Sequence, residues 1–231
     1  MCKKSILAIS IVLVSICAGV ASTSKSFEQW SLKQAIDVLS RSSWARQETF
    51  THVVGGIGSG IEGEKEIYNT FFVRFLSAAP IRKAYARVQQ LQIQNKDLDR
   101  GERTRLAEKI QRGLNLDLSD WIVVAVTFRS NNARQESRVE RFFETQTTET
   151  IKNRAFLSTK DFPKLEIQAY FPPIEQSVGA KFVFPRIVGG VKVVNPEDET
   201  VAFELVVPGA DPILRATFNI EEMLVQGELV I

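Results

Sequence analysis

Residues that most often carry chemistry are scarce in this sequence. Among 231 residues there is one histidine, His52, and there are two cysteines, Cys2 and Cys17. A lone histidine excludes every two-histidine metal motif, and the common zinc sites built from His and Cys fall with it. Excess charge is absent too: 29 Lys and Arg stand against 27 Asp and Glu, a formal charge of +2. A dedicated nucleic-acid binder carries a large basic surplus to neutralise phosphates, so that class is excluded. No collagen-like, mucin-like or prion-like bias is present. What remains is an ordinary globular composition, 44% hydrophobic, on a chain long enough to bury a core without disulfides or a structural metal.

The longest apolar run lies at the start. Met1-Cys2-Lys3-Lys4 is followed over residues 5–21 by apolar side chains ending in small ones, which reads as an export signal. Its length, 17 residues, is at the lower limit for a membrane span, and Ser22-Thr23-Ser24-Lys25-Ser26 follows in place of a positive stop. Cleavage after Ala21, with Gly19 third before the cut, is the preferred site. Val14-Ser15-Ile16-Cys17 offers a lipoprotein alternative acylated at Cys17, although Ile16 is bulky for that position. Cleavage at Ala21 removes Lys3, Lys4 and both cysteines, leaving 27 basic against 27 acidic groups and no thiol. An exported chain of about 210 residues without a bridge suits a bacterial periplasm. The expected location is therefore periplasmic or secreted, in a bacterial cell envelope.

Along the mature chain, Ser31-Leu32-Lys33-Gln34 has the form of a capping box, and Leu32, Ala35, Ile36 and Leu39 follow at helical spacing. Trp44 serves as a packing anchor. Residues 49–54 and 67–77 are strand-like and flank the glycine-rich tongue 55–63, which predicts a β-hairpin with a mobile tip. Pro80 suits the first turn of a helix carrying Ile81, Ala84, Tyr85, Val88 and Leu91 on one stripe. A further helix fits 102–112, with Leu106, Ala107 and Ile110 inward. Residues 121–128 are nearly all apolar and β-branched, as in a central strand covered on both faces. Val139, Phe142 and Phe143 favour a helix over 133–147, and the continuation through Ile151 and Phe156 fits helix or strand. From Lys164 onward, strand-like runs at 165–171, 181–184, 191–194, 201–207, 214–220 and 224–231 are separated by Pro, Gly and Asn-Pro turns. The expected fold is α+β: a largely antiparallel sheet with N-terminal and central helices packed on it. One domain is expected over 22–231, helix-rich over 27–160 and β-rich over 164–231.

Gly58-Ser59-Gly60-Ile61-Glu62-Gly63 has the letters of a dinucleotide fingerprint but lacks its context. No helix follows directly, and Ser77-Ala78-Ala79-Pro80 stands where an acidic residue is needed. No lysine lies in Walker spacing. His52 with Ser59 is a formal triad fragment without a nucleophile elbow, so a strand histidine is the simpler reading. Asn95-Lys96-Asp97-Leu98-Asp99-Arg100-Gly101 resembles half a calcium loop, but Arg100 replaces the sixth-position glycine and Leu106 the twelfth-position glutamate. A solvated turn between helices explains it better. Asp117 with Asp120 and Glu221 with Glu222 are carboxylates without a demonstrable cleft. No residue earns a catalytic, cofactor or metal assignment.

Charge is segregated along the chain. Residues 82–112 carry Arg82, Lys83, Arg87, Lys96, Arg100, Arg103, Arg105, Lys109 and Arg112 against four acids, a net +5. Residues 195–231 carry eight acids and Arg215, a net −7. One reading is a helical face for anionic partners such as phospholipid headgroups or acidic polysaccharide. The other is solvated helix surface, partly compensated by the acidic end.

The segments Phe27-Glu28-Gln29-Trp30-Ser31-Leu32-Lys33-Gln34-Ala35, Ser43-Trp44-Ala45-Arg46 and Phe184-Pro185-Arg186, with the Met223-Leu224-Val225-Gln226-Gly227 ending and the glycine-rich insert, resemble a loose group of uncharacterised exported proteins of soil bacteria. That resemblance implies export and a bacterial source, and it carries no activity or functional residue. The function expected is that of a cell-envelope protein acting as a non-enzymatic binding or structural module, its partner an envelope protein or polymer. The alternative is a carboxylate-dependent hydrolase of envelope or extracellular polymers.

Overall fold

The computed structural model describes residues 26–55, 64–174, 178–208 and 213–231. The export signal, Cys17, the fingerprint letters and Ser59 lie outside them. In chain order the elements are α1 (Leu32–Arg41), β1 (Ala45–Gly55), β2 (Glu64–Phe75), α2 (Ala79–Gln94), α3 (Arg100–Leu114), β3 (Trp121–Ser130), α4 (Ala133–Thr145), α5 (Thr148–Ile151), β4 (Ala155–Ser158), β5 (Leu165–Glu166), β6 (Ala169–Phe171), β7 (Ala180–Pro185), β8 (Ile187–Val188), β9 (Val191–Lys192), β10 (Thr200–Leu205), β11 (Leu214–Asn219), β12 (Leu224–Val225) and β13 (Glu228–Leu229). The fold is α+β, and every strand pairing among the described residues is antiparallel.

The antiparallel strands divide into two larger sheets and two small hairpins. One sheet runs β1-β2-β3-β7-β6 and the other β11-β10-β4-β5. Strand alternation explains why they pack together. In the first sheet Phe71, Val73 and Phe75 of β2 stand opposite Phe128, Val126 and Val124 of β3, and Phe182 and Phe184 of β7 continue the same face. In the second sheet β11 alternates strictly, with Leu214, Ala216 and Phe218 buried and Arg215, Thr217 and Asn219 exposed. The two apolar faces meet through rings: Phe75 lies 4.7 Å from Phe218, and Phe182 lies 5.1 Å from Phe203 of β10. Both faces of β3 are buried, as a central strand requires.

Helices cover the opposite face of the first sheet. Arg74 of β2 points there and is tied to the Leu39 carbonyl of α1, the Tyr85 hydroxyl of α2 and the Thr127 hydroxyl of β3. The Ser31 capping box starts α1, and Pro80 sits in the first turn of α2. α3 packs on α2 and buries Ile110 alone. The predicted hairpin is present, in register from Ala45 opposite Arg74 to Gly55 opposite Glu64, while its tip at 56–63 lies outside the described residues. The ambiguous stretch after α4 is both things in turn, α5 and then β4. The ending read as one strand over 224–231 is the β12–β13 hairpin, preceded by a 3-10 turn at Glu221–Met223.

Candidate functional site

The outward face of the α2–α3 hairpin is where sequence and structure concentrate charge. Its second helix is set by Asp99, whose carboxylate accepts from the Glu102 amide at 2.8 Å while Glu102 accepts from the Asp99 amide at 3.2 Å. This capping box is the structural role of the calcium-like segment, and no group of three or more potential metal ligands occurs among the described residues. With Ile110 turned toward α2, the arginines and lysines of α3 face solvent.

Nine basic side chains lie over 82–112, and none forms an ion pair among the described residues. Their hydrogen bonds go to neutral main-chain carbonyls. Arg87 donates to Trp30, Arg103 to Leu98 and Lys96, and Arg105 to Gly101. Direct compensation by the acidic end of the chain is therefore not what holds this face. The acidic end makes its own pairs, Arg46 with Glu222 at 3.5 Å and Arg215 with Glu204.

Two clefts open on this hairpin. One, of about 280 Å³, lies between the first turn of α2, the last turn of α3 and the turn at Phe27–Gln29; its polar walls are Glu28, Arg82, Lys83, Gln111 and Asn115. The other, of about 220 Å³, is lined by Gln90, Gln94, Arg103 and Gln111 with Ile93, Ala107 and Ile110. Arg82 is half-buried, which lowers its pKa from the usual guanidinium value. Arg186, at the end of β7, is lowered first by burial and then by the positive charge of Arg82. It is anchored by bonds to the Leu118 and Ile231 main-chain oxygens. The electrostatic influence of Arg82 on Arg186 had no signal in the sequence, because the two stand far apart along the chain.

The remaining candidates are dispersed. His52 is a strand residue opposite Ile67 in β1–β2, as read from the sequence. Asp117 accepts from the Ser119 amide, which lowers its pKa, in the turn before β3; Asp120 offers its carbonyl to the Arg186 amide. Glu221 and Glu222 form the 3-10 turn before β12. Glu48, on β1, has its carboxyl pushed up by burial, with Arg46 pulling it down less strongly. On the helix-covered face, burial raises the Tyr85 hydroxyl while the Arg74 charge and hydrogen bond oppose it. The Arg74–Tyr85–Thr127 set is held by neutral oxygens and by ring faces, the Arg74 guanidinium lying 5.2 Å from the Phe72 centroid. It ties α1 and α2 to the sheet. Comparison with family models, curated proteins and solved structures gives no match.

Proposed function

We propose that this is an exported bacterial envelope protein acting as a non-enzymatic binding module, which docks on anionic envelope material through the α2–α3 face. The observation that carries the reading is the basic surplus of 82–112, nine basic side chains against four acidic ones, with Arg100, Arg103, Arg105, Lys109 and Arg112 of α3 exposed and no ion pair formed by any of the nine among the described residues. Fixed cations without fixed counter-ions leave their field open to an anionic surface, and each Lys or Arg close to anionic lipid is worth about 1 kcal/mol. A signal over residues 1–21 would deliver the protein to a compartment rich in such surfaces.

The test is cosedimentation of the purified protein with vesicles of phosphatidylcholine alone or mixed with phosphatidylglycerol, at low and high salt. Binding to the anionic vesicles only, falling as salt rises, is the expected result. Replacing Arg105 and Lys109 by glutamine should weaken it. Equal binding to neutral vesicles, insensitivity to salt, or turnover of an envelope polymer that is lost on His52→Ala would overturn the reading.

A further inference from the structure

β1 is an open edge. It ends the five-stranded sheet and pairs with β2 alone. The Phe75 amide donates to the Trp44 carbonyl, and this bond sets the phase of the ladder. Even-numbered residues of β1 exchange bonds with β2, so the N–H and C=O groups of Gln47, Thr49, Thr51 and Val53 point away from it. Ala45 points the same way, but its amide donates to the Ser42 carbonyl and its own carbonyl accepts from Arg46. The four residues beyond it have no main-chain partner on that side among the described residues. Strand edges are usually blunted by proline, lysine or a covering group. β11, an edge of the second sheet, is treated so, because the Arg46 guanidinium caps its Thr217 carbonyl. Residues 47–55 contain no proline, lysine or arginine, and Thr49–Val54 is rich in strand formers.

The two faces of this edge match a second copy of the same strand. Gln47, Thr49, Thr51 and Val53 expose their side chains on one face. On the other, Phe50 is half-buried against Phe71 at 6.1 Å, and Glu48 and His52 flank it with no side-chain hydrogen bond or ion pair among the described residues. Put a two-fold axis at Phe50 and pair the strands antiparallel. Thr49 then lies opposite the partner's Thr51 and Gln47 opposite the partner's Val53, so all four open residues exchange both main-chain bonds. The even positions become the closely spaced pairs. Phe50 meets the partner's Phe50, and Glu48 meets the partner's His52, whose ring N–H can donate to the carboxylate. Neighbouring registers lose this match. An axis at Thr51 sets Glu48 against the partner's Val54. An axis at Thr49 sets Val53 against the partner's Ala45, whose amide and carbonyl are already bonded. Antiparallel pairing also keeps the two bodies apart, because α1 and the Arg46 contact with β11 lie at the Ala45 end of β1 and so fall at opposite ends of the joint.

We propose that β1 is a homodimer interface: two copies of this chain join their five-stranded sheets edge to edge through residues 47–53, in register about Phe50, with Glu48 of each facing His52 of the other. The joint lies on a different element from the α2–α3 face and stands whether or not that face binds anions.

Sedimentation equilibrium of the purified protein tests the joint. The mass should rise from one chain toward two as concentration goes from about 1 to about 100 µM, the range suited to a small interface. Thr51→Pro removes an amide that makes no bond within one copy and should weaken association about tenfold or more. His52→Glu sets carboxylate against carboxylate across the joint and should weaken it about tenfold. Adding Glu48→Lys to His52→Glu brings opposite charges together again and should restore it. Positions 48 and 52 of one strand stand about 13 Å apart, so a single copy holds no such pair to rescue. Thermal melts in dilute solution, where the copies are separate, report whether each variant is folded. A single-chain mass at every concentration overturns the proposal and leaves the edge to a strand of another protein. Association that survives Thr51→Pro overturns it by placing the dimer contact elsewhere. Association lost in Thr51→Pro but not rescued by the charge exchange overturns the register about Phe50.

Discussion

Gly179 and Gly113 look equivalent in the sequence and are opposite in the structure. At Gly179 the backbone turns to φ +102° so close to β3 that a Cβ would stand 2.3 Å from the Val126 carbonyl oxygen and 2.6 Å from the Thr127 methyl. Neither neighbour can swing away, since one is backbone and the other is β-branched and packed. Gly179→Ala should cost roughly 3 kcal/mol or more in urea denaturation, the left-handed conformation alone accounting for about 1–2 kcal/mol. A Cβ at Gly113, within α3, would meet nothing, so Gly113→Ala should stabilise by up to about 1 kcal/mol through helix propensity. Glu48 gives a pH-dependent effect of the same residue-level kind. Burial raises its carboxyl above the ordinary 4.5, so the folded chain holds the proton more tightly than the unfolded one. Stability from this group is fully present below 4.5 and is lost as pH rises through the raised folded value. Glu48→Gln should therefore melt higher than the parent at neutral pH, with the advantage vanishing toward acid pH. Melting curves of both proteins across pH 3–8, a window bracketing the carboxylate range, check this. A constant offset at every pH would assign the effect to packing.

α3 is loosely joined to the rest, because it buries one residue and leans on another helix. Its stability leans on its ends. Removing the Asp99 cap with Asp99→Ala should cost the helix about 1 kcal/mol. The loss should appear as faster amide exchange within Arg100–Leu114 while the main melting transition stays nearly still, since local opening of such a unit is decoupled from the core. A drop in the global transition of the same size would instead make α3 part of the cooperative core. Helices α1 to α4 were legible in the sequence because their physics is local: the Ser31–Gln34 box, Pro80 in the first turn of α2 and the apolar stripes of α2 and α4 all lie within a few residues, whereas of the stripe read for α1 only Ala35 and Leu39 are buried and Leu32 and Ile36 stay exposed. The long strands β1, β2 and β3 were legible for the same reason. β5, β6, β8, β9, β12 and β13 run two or three residues and leave no period to read. Alternation in β11 showed which side chains are buried without saying that a second sheet covers them. The candidate site was legible as a basic stretch, but the cleft was not, since Phe27, Arg82 and Asn115 meet only after three turns of topology.

At the scale of the molecule, one apolar seam holds two sheets together, and it is built of rings. Phe203 of β10 is its hinge point, fully buried and in contact with both Phe182 and Phe184 of β7, at 5.1 and 6.3 Å. Along its own sheet it stands between Leu157 and Ala216, so its loss opens a void bounded by three strands in two layers. Interiors relax only partly around such a void, and Phe203→Ala should cost roughly 3–5 kcal/mol. A shared seam also fixes how the protein comes apart. The first sheet carries the helices on its other face through Arg74, and the second sheet has solvent beyond Arg215, Thr217 and Asn219, so neither keeps its apolar face covered once the seam opens. Unfolding should then be a single transition, with urea curves from circular dichroism and from tryptophan fluorescence superimposing. Trp44 is placed to report the joint, since its ring packs against the core and its indole N–H donates to the Val230 carbonyl. In Phe203→Ala the two curves should move together to lower urea, with an unchanged slope. Separation of the curves, with fluorescence changing before or after the loss of strand signal, would mean that each sheet holds its own structure and that the seam is an interface between independent units.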